Sequence, residues 1–341
     1  MQFKCGIIGL GRIGCGFDDN PKKETISTHA GAYSTNKKAN LVALCDIDNN
    51  KLVKYGKKYH ASGLYTDYKN MFKNEQLDCV SICTLADSHL EIVKETIKYN
   101  VKGIFLEKPI STNLKDASKI VKLCKENRTK LQIDHQRRFD PFYHTVRDLI
   151  NDKKFGRIQH VGIYYGSGIA NTGSHIFDLL MFFFGKIQWV EGVYSQNPSN
   201  NPSDPNLDGK VGFSNITCTM QGFDLKNYGI LEFDILGTNA RIRLNITKST
   251  AEYFEVTNNH NPLVYHSLKS KLLPLPKKVD AIVRGLDNLF YSIEHNTNPS
   301  SSGEDGYFSL EAILAMSHSA NKNGRRIYLP LKTNTYKIYS K

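Results

Sequence analysis

Over residues 1–134, short and nearly continuous apolar runs alternate with stretches in which apolar residues recur every three or four positions. The runs are Phe3 to Ile8, Leu41 to Cys45, Cys79 to Cys83, Gly103 to Leu106 and Leu131 to Asp134. A strand with one wet face alternates apolar and polar residues, so unbroken runs suit parallel strands buried on both faces. Between them, Leu90, Val93 and Ile97 lie at helical spacing, as do Leu114, Ala117, Ile120, Val121 and Cys124, with Thr112 or Asn113 as N-cap. Strand–helix alternation of this kind predicts a doubly wound parallel sheet.

The rhythm changes after Asp140-Pro141. A helix over Phe142 to Asn151 precedes six predicted strands: Ile158 to Tyr165, Ile187 to Tyr194, Val211 to Met220, Gly229 to Leu236, Arg241 to Ile246 and Glu252 to Val256. Short turns such as Gly237-Thr238-Asn239 favour hairpins and hence a largely antiparallel sheet. Asn197 to Asn206 is a Pro/Asn/Ser-rich loop within this part. Helices over Val279 to His295 and Gly306 to Asn321 and a last strand, Arg326 to Leu329, complete the chain. The expected fold is α/β: a Rossmann domain with a doubly wound parallel sheet over 1–134, then an α+β domain over 135–341 with an open, largely antiparallel sheet. Helices covering one face of that sheet leave the other for a second copy, so a homodimer or homotetramer is expected.

Composition narrows the function classes. At 341 residues, 40% hydrophobic and 23% charged, the chain has the make-up of a two-domain globular protein. No run approaches the roughly 18 apolar residues of a membrane helix. The start, Met1-Gln2-Phe3-Lys4-Cys5, enters a strand without a signal-peptide pattern, so a cytoplasmic location and no membrane partner are expected. The seven cysteines show no CxxC pair, which argues against a zinc site and for reduced thiols; no metal is expected. The net charge of +12 is spread along helices, as in Lys51, Lys54, Lys57 and Lys58, and shows none of the basic clustering with aromatics of a nucleic-acid surface. It solvates the surface or steers an anionic ligand.

The chemistry begins at Gly9-Leu10-Gly11-Arg12-Ile13-Gly14, directly after the first strand. Gly9 permits a tight turn, Gly11 lets the backbone approach a pyrophosphate, and Gly14 allows a helix to pack close; Arg12 and Ile13 lie within the same cradle. Asp46 ends the next strand, where a carboxylate accepts both ribose hydroxyls of NAD and repels the 2′-phosphate of NADP. NAD is therefore expected over NADP. Asp46 follows the glycines by more than the usual ~20 residues because of a polar insertion, Phe17 to Thr28, expected to loop over the cofactor or the site's mouth. His29 ends the insertion and reads as a helix-cap or loop histidine. Glu107-Lys108-Pro109 follows the fourth strand, at the sheet edge where open α/β sheets bind ligands. There Lys108 can bond a substrate hydroxyl and the nicotinamide carboxamide.

Together these residues resemble the Gfo/Idh/MocA family of sugar and cyclitol dehydrogenases. The likeness continues through His135-Gln136-Arg137-Arg138-Phe139-Asp140, Phe155-Gly156-Arg157-Ile158, Gly173-Ser174-His175-Ile176-Phe177-Asp178, Leu236-Gly237-Thr238 and Gly303-Glu304-Asp305-Gly306. It implies an NAD-dependent oxidoreductase acting on a sugar, cyclitol or nucleotide sugar, with Glu107 and Lys108 near the cofactor and His175 as acid/base. The family's Asp-x-Gly-x-His pattern reads Asn171-Thr172-Gly173-Ser174-His175 here. An amide at 171 can bond a sugar hydroxyl but cannot take a proton, which leaves Lys108 and His175 to handle it. His175 has an imidazole suited to that task near neutral pH, and Asp178 three residues on can orient it. The competing reading makes His175 a helix-start histidine above Leu179 to Phe184. Asn171, Asp178, Arg138 and Tyr165 are the expected substrate contacts, with Arg137 or Arg138 alternatively pairing with Asp140. The replacement at 171 also keeps open a sensor or scaffold that binds NAD and sugar without turnover.

Overall fold

Five of the six parallel strands of the first sheet run where the unbroken apolar runs predict them. The structure is a computed structural model in which residues 2–20, 22, 25–257, 265–332 and 336–338 are described. In chain order the first elements are β1 (Phe3–Ile8), α1 (His29–Thr35), β2 (Ala39–Cys45), α2 (Asn49–Tyr59), β3 (Gly63–Tyr65), α3 (Tyr68–Asn74), β4 (Cys79–Ile82), α4 (His89–Lys98), β5 (Gly103–Leu106), α5 (Leu114–Glu126) and β6 (Lys130–Ile133). The sheet order is β3-β2-β1-β4-β5-β6 with every neighbouring pair parallel. The direction of winding reverses between β1 and β4, so the glycine turn after β1 stands at the switch point where such sheets bind ligands. The strand β3 was not anticipated, being only three residues long.

The chain divides into two units, one of Met1–Asp140 with Val279–Leu310, the other of Pro141–Lys278 with Glu311–Tyr339. The first unit therefore ends a few residues beyond the expected boundary at 134 and takes back a later segment. That segment includes α8 (Ala281–Glu294), expected in the second domain; α6 (Pro141–Asn151) and α7 (Asn171–Phe184) precede it. The apolar face of α8, formed by Ile282, Leu286, Leu289 and Phe290, joins the core around Phe3 and Phe105. Phe3 and Phe290 stack with ring centroids 4.4 Å apart. At seven residues, α1 is short, and α8 lies beside it.

The second unit holds β7 (Ile158–Tyr165), β8 (Trp189–Tyr194), β9 (Leu207–Gly212), β10 (Thr217–Gly222), β11 (Glu232–Gly237), β12 (Ala240–Asn245), β13 (Thr250–Thr257), β14 (Ser267–Lys271) and β15 (Ile327–Tyr328). A last helix, α9 (Gly303–Ala320), begins in the first unit and ends in the second. The strands form one sheet, β14-β13-β12-β11-β7-β10-β9-β8-β15, antiparallel at each described pair except β7 with β10. The single strand predicted over Val211 to Met220 is a hairpin: β9 and β10 pair antiparallel about a turn in which Phe213 N–H donates to Ile216 O at 2.9 Å. Ser214 and Asn215, turn formers inside an apolar run, cause the reversal. The helix α7 packs on this sheet through Phe183 against Phe233 of β11.

Candidate active site

The glycine turn is built for close approach. Gly9 has φ of 93°, and a Cβ there would lie 2.8 Å from the Cys83 carbonyl, so the fold itself demands glycine. A Cβ on Gly14 would collide with the Gly9 carbonyl oxygen. Gly11 differs: a Cβ would meet nothing within 4 Å. The fold does not need this glycine, and the open space beside it is what a pyrophosphate requires of the backbone. The residues present thus fit a dinucleotide.

No regular helix starts at the turn, contrary to the usual pattern. The chain makes one tight 3₁₀ turn at Gly16–Asp19 and departs into the insertion. It returns at His29, whose backbone N–H donates to Ile13 O at 3.1 Å, while Ala30 N–H donates to Gly14 O at 3.0 Å. These carbonyls belong to the first helical turn, so α1 resumes a helix that the insertion interrupts. The insertion's start is tied to α2, where Asp19 accepts from Lys54, Lys58 and Tyr55 at 2.7 to 2.8 Å. Residues 21, 23 and 24 of the insertion lie outside the described residues.

Asp46 reaches the same turn. Its Oδ2 accepts from Leu10 N–H at 2.6 Å and its Oδ1 from Asp48 N–H at 2.9 Å, and each oxygen keeps a lone pair for a ribose hydroxyl. Lys51 Nζ stands 3.7 Å from Oδ1. The next residue, Ile47, is 92% exposed, an apolar surface that no sequence pattern singles out.

At the carboxyl end of β5 the structure separates two residues that the sequence groups together. Lys108 is half-buried and joined to Pro109 by a cis peptide bond. Glu107 is buried, and its Oε1 lies 3.1 Å from His29 Nε2. Glu107, expected beside the cofactor, thus has its carboxyl bonded to His29 inside the protein. The same imidazole nitrogen stands 3.6 Å from Asp134 Oδ2, and Nδ1 lies 2.8 Å from Ser81 Oγ, which also meets Tyr33 OH at 2.9 Å. Gln136 Nε2 donates to Asp134 Oδ2 at 3.0 Å. Burial, then the adjacent Asp134, push the Glu107 carboxyl up to about 7, with His29 opposing. Burial by itself lowers His29, but the Cys83 sulfur and the Asp134 and Glu107 carboxyls more than offset it, and the imidazole lies well above its ordinary value. Asp134 resists the upward push of burial through His29, Glu107 and Gln136 and lies below the usual carboxylate range.

In the second unit α7 carries the other predicted group. His175 and Asp178 are one helical turn apart on it, His175 half-buried and Asp178 buried, with Asn171 exposed at the helix start. The helix has no capping side chain of its own, since Ala170 holds the N-cap position. Asp204 supplies the cap from the loop 197–206: its Oδ1 accepts from Ala170 N–H at 2.7 Å and its Oδ2 from Asn171 N–H at 2.9 Å. This positioning role went unseen because the loop's composition signals only turns. Two other expectations change. Tyr165 is wholly buried, and its hydroxyl both donates to Leu207 O and accepts from Leu207 N–H, so it ties β7 to β9 within the core and lines no open site. Arg138 is nearly buried and binds Asp305 at 3.0 Å and the Ser300 carbonyl at 3.1 Å, holding the start of α9.

Two family models match this chain. One, described as "Oxidoreductase family, NAD-binding Rossmann fold", covers residues 3–135, and the other, "Oxidoreductase family, C-terminal alpha/beta domain", covers 166–329. Myo-inositol 2-dehydrogenase of Thermotoga maritima is 21% identical over 336 residues, 90% of this chain and 93% of that one. D-apiose dehydrogenase of Paraburkholderia graminis is 29% identical over 201 residues, 54% of this chain and 52% of that one. The WlbA dehydrogenase of Bordetella pertussis, solved with NADH and UDP-GlcNAcA, superimposes with a TM-score of 0.77 at 19% identity, covering 97% of this chain and all of that one. No helix among the described residues is long and apolar enough to cross a membrane.

Proposed function

The chain belongs to the Gfo/Idh/MocA oxidoreductase family, with its NAD-binding Rossmann domain and C-terminal α/β domain, and from that premise we propose that it is an NAD-dependent dehydrogenase or reductase of a secondary alcohol on a sugar, cyclitol or nucleotide sugar. The observation that carries this is the set of groups at the carboxyl ends of the parallel strands. Gly11 leaves room for a pyrophosphate, Asp46 stands fixed beside it, and Lys108 follows β5.

Bound NAD supplies the hydride acceptor, or NADH the donor. The Gly9–Gly14 turn, with Arg12 and Ile13 in the loop, would hold the pyrophosphate, and the exposed Ile47 would offer apolar surface to the dinucleotide. Asp46 accepts the ribose hydroxyls and repels a 2′-phosphate, which favours NAD over NADP. Lys108 holds the reacting hydroxyl and stabilises negative charge on its oxygen. His175 accepts the hydroxyl proton during oxidation and returns it during reduction, with Asp178 favouring its charged form. Asn171 bonds a neighbouring hydroxyl. The nine-stranded sheet joins copies into a homodimer or homotetramer. The seven unpaired, buried cysteines suit the reducing cytoplasm.

The test is a reductase and dehydrogenase assay with NAD or NADH against myo-inositol, D-apiose and UDP-GlcNAcA, followed by the absorbance of reduced nicotinamide. Turnover of at least one, lost by about a hundredfold or more in both Lys108→Ala and His175→Ala, is the expected result. Wild-type rates in the folded His175→Ala protein would remove the histidine from the mechanism. NAD binding without turnover of any probe would favour a sensor, the outcome that Asn171 makes worth testing.

A further inference from the structure

His29 gathers groups from three strand ends, although a merely structural helix start needs none of them. Ser81 of β4, Glu107 after β5 and Asp134 after β6 converge on one imidazole, and all four side chains are buried. Also facing the ring are Cys83, whose thiol burial pushes up so that it stays neutral, and Phe105, edge-on at 4.6 Å between centroids. Among the described residues, Asp134 Oδ1 is buried with no hydrogen-bond partner. Buried charges of this kind are weak stabilisers, because apolar residues of similar volume often serve as well. Their value lies in what they hold in place. Through its backbone His29 is bonded to Ile13 in the glycine turn, and through its side chain to Glu107, the residue before Lys108.

We propose that His29 is a positioning residue for Lys108: by bonding the glycine turn on one side and Glu107 on the other, it fixes where the lysine amine stands relative to the cofactor loop. The inference rests on the reading of Lys108 as a group that touches the reacting hydroxyl. The imidazole pulls the Glu107 carboxyl inward, and that anchors the peptide from which Lys108 projects. A misplacement of the lysine by an ångström would be felt in the chemical step more than in cofactor binding.

The experiment compares wild-type protein with His29→Gln, which keeps an amide donor but no charge, and with Ser81→Ala, which leaves the charge and removes the bond that orients the ring. Three quantities are read: NADH affinity by fluorescence, kcat and KM with whichever of the three sugar probes the wild type turns over, and the pH profile of Lys108 acetylation by sulfosuccinimidyl acetate, followed by peptide mass spectrometry. Expected are a kcat lower by about tenfold or more in His29→Gln, NADH affinity and KM within about twofold, and a displaced acetylation profile at Lys108. If His29→Gln does not fold, Ser81→Ala decides, with a several-fold loss of kcat and the same displacement expected. An unchanged Lys108 profile in a folded variant overturns the proposal, whatever happens to melting temperature. A displaced profile in a protein that turns over none of the probes supports the positioning role while the dehydrogenase reading fails.

Discussion

His29 Nε2 lies 3.1 Å from Glu107 Oε1, so the residue preceding the candidate lysine is held from a point 78 positions earlier in the chain. The contact is buried, and it gives stability a sign with respect to pH. Glu107 titrates at about 7 in the folded protein against 4.5 for a free carboxyl. Its contribution is therefore full below 4.5 and is lost as pH rises towards 7. His29, also raised, contributes fully below its ordinary value of 6.5 and loses that as pH climbs through its raised one. Asp134, lowered, works the other way: its contribution is present above 3.8 and is lost as pH falls through its lowered value. Melting temperature at constant ionic strength is expected to fall as pH rises from about 4.5 to about 7. Glu107→Gln should flatten that fall, and an unchanged slope would place the titration elsewhere.

Gly11 and Gly14 should separate binding from folding. Gly11→Ala adds a methyl where nothing lies within 4 Å, so melting temperature should hold while NAD affinity drops by about tenfold or more. Gly14→Ala drives its methyl into the Gly9 carbonyl and should destabilise by about 1–3 kcal/mol, as overpacking does. Calorimetric NAD titration beside thermal unfolding distinguishes the two.

Removing the Asp46 carboxylate should relax the choice of cofactor. Asp46→Ser is expected to raise KM for NAD and to move the NADP-to-NAD ratio of kcat/KM towards NADP by about tenfold or more. Lys51, already 3.7 Å from that carboxylate, is placed to meet a 2′-phosphate. Steady-state kinetics with both cofactors give the ratio.

Asp204 should matter to α7 out of proportion to its place in a loop. Asp204→Ala removes two acceptors and a negative charge from the helix start, a loss of about 1–2 kcal/mol. Asp204→Asn, which keeps an acceptor oxygen, should recover part of it. Because His175 rides on the same helix, the alanine variant should also lower kcat. Thermal unfolding and turnover on one preparation check both.

Legibility from sequence followed the range of the interactions concerned. Parallel strands, buried on both faces, announce themselves as unbroken apolar runs, and β1, β4 and β5 fell where those runs lie. The hairpin of β9 and β10 was hidden because Ser214 and Asn215 interrupt an apolar run too briefly to change its period. The apolar face of α8 predicted a helix but could not say which unit it would cover. Gly9, Gly11 and Gly14 were legible because one local turn uses all three. The surroundings of Glu107 were not: Ser81 lies 52 positions from His29 and Glu107 lies 78, and no periodicity links positions so far apart. Tyr165 was misplaced for a simpler reason, since alternation along a strand tells that neighbours face opposite ways but not which way is in.

The interrupted helix gives this molecule a place where length is nearly free. The excursion after the glycine turn leaves at Gly16 and comes back at His29. Both ends are already pinned, by Asp19 accepting from Lys54 of α2 and by Asp18 accepting from Ser27 N–H at 3.0 Å. The ends have been brought together by bonds that do not depend on the path between them. Doubling that path would cost only roughly 0.6 kcal/mol of closure entropy. A tether, an epitope or a whole folded module could be spliced in here, a few residues from the cofactor loop, without the sheet registering the change.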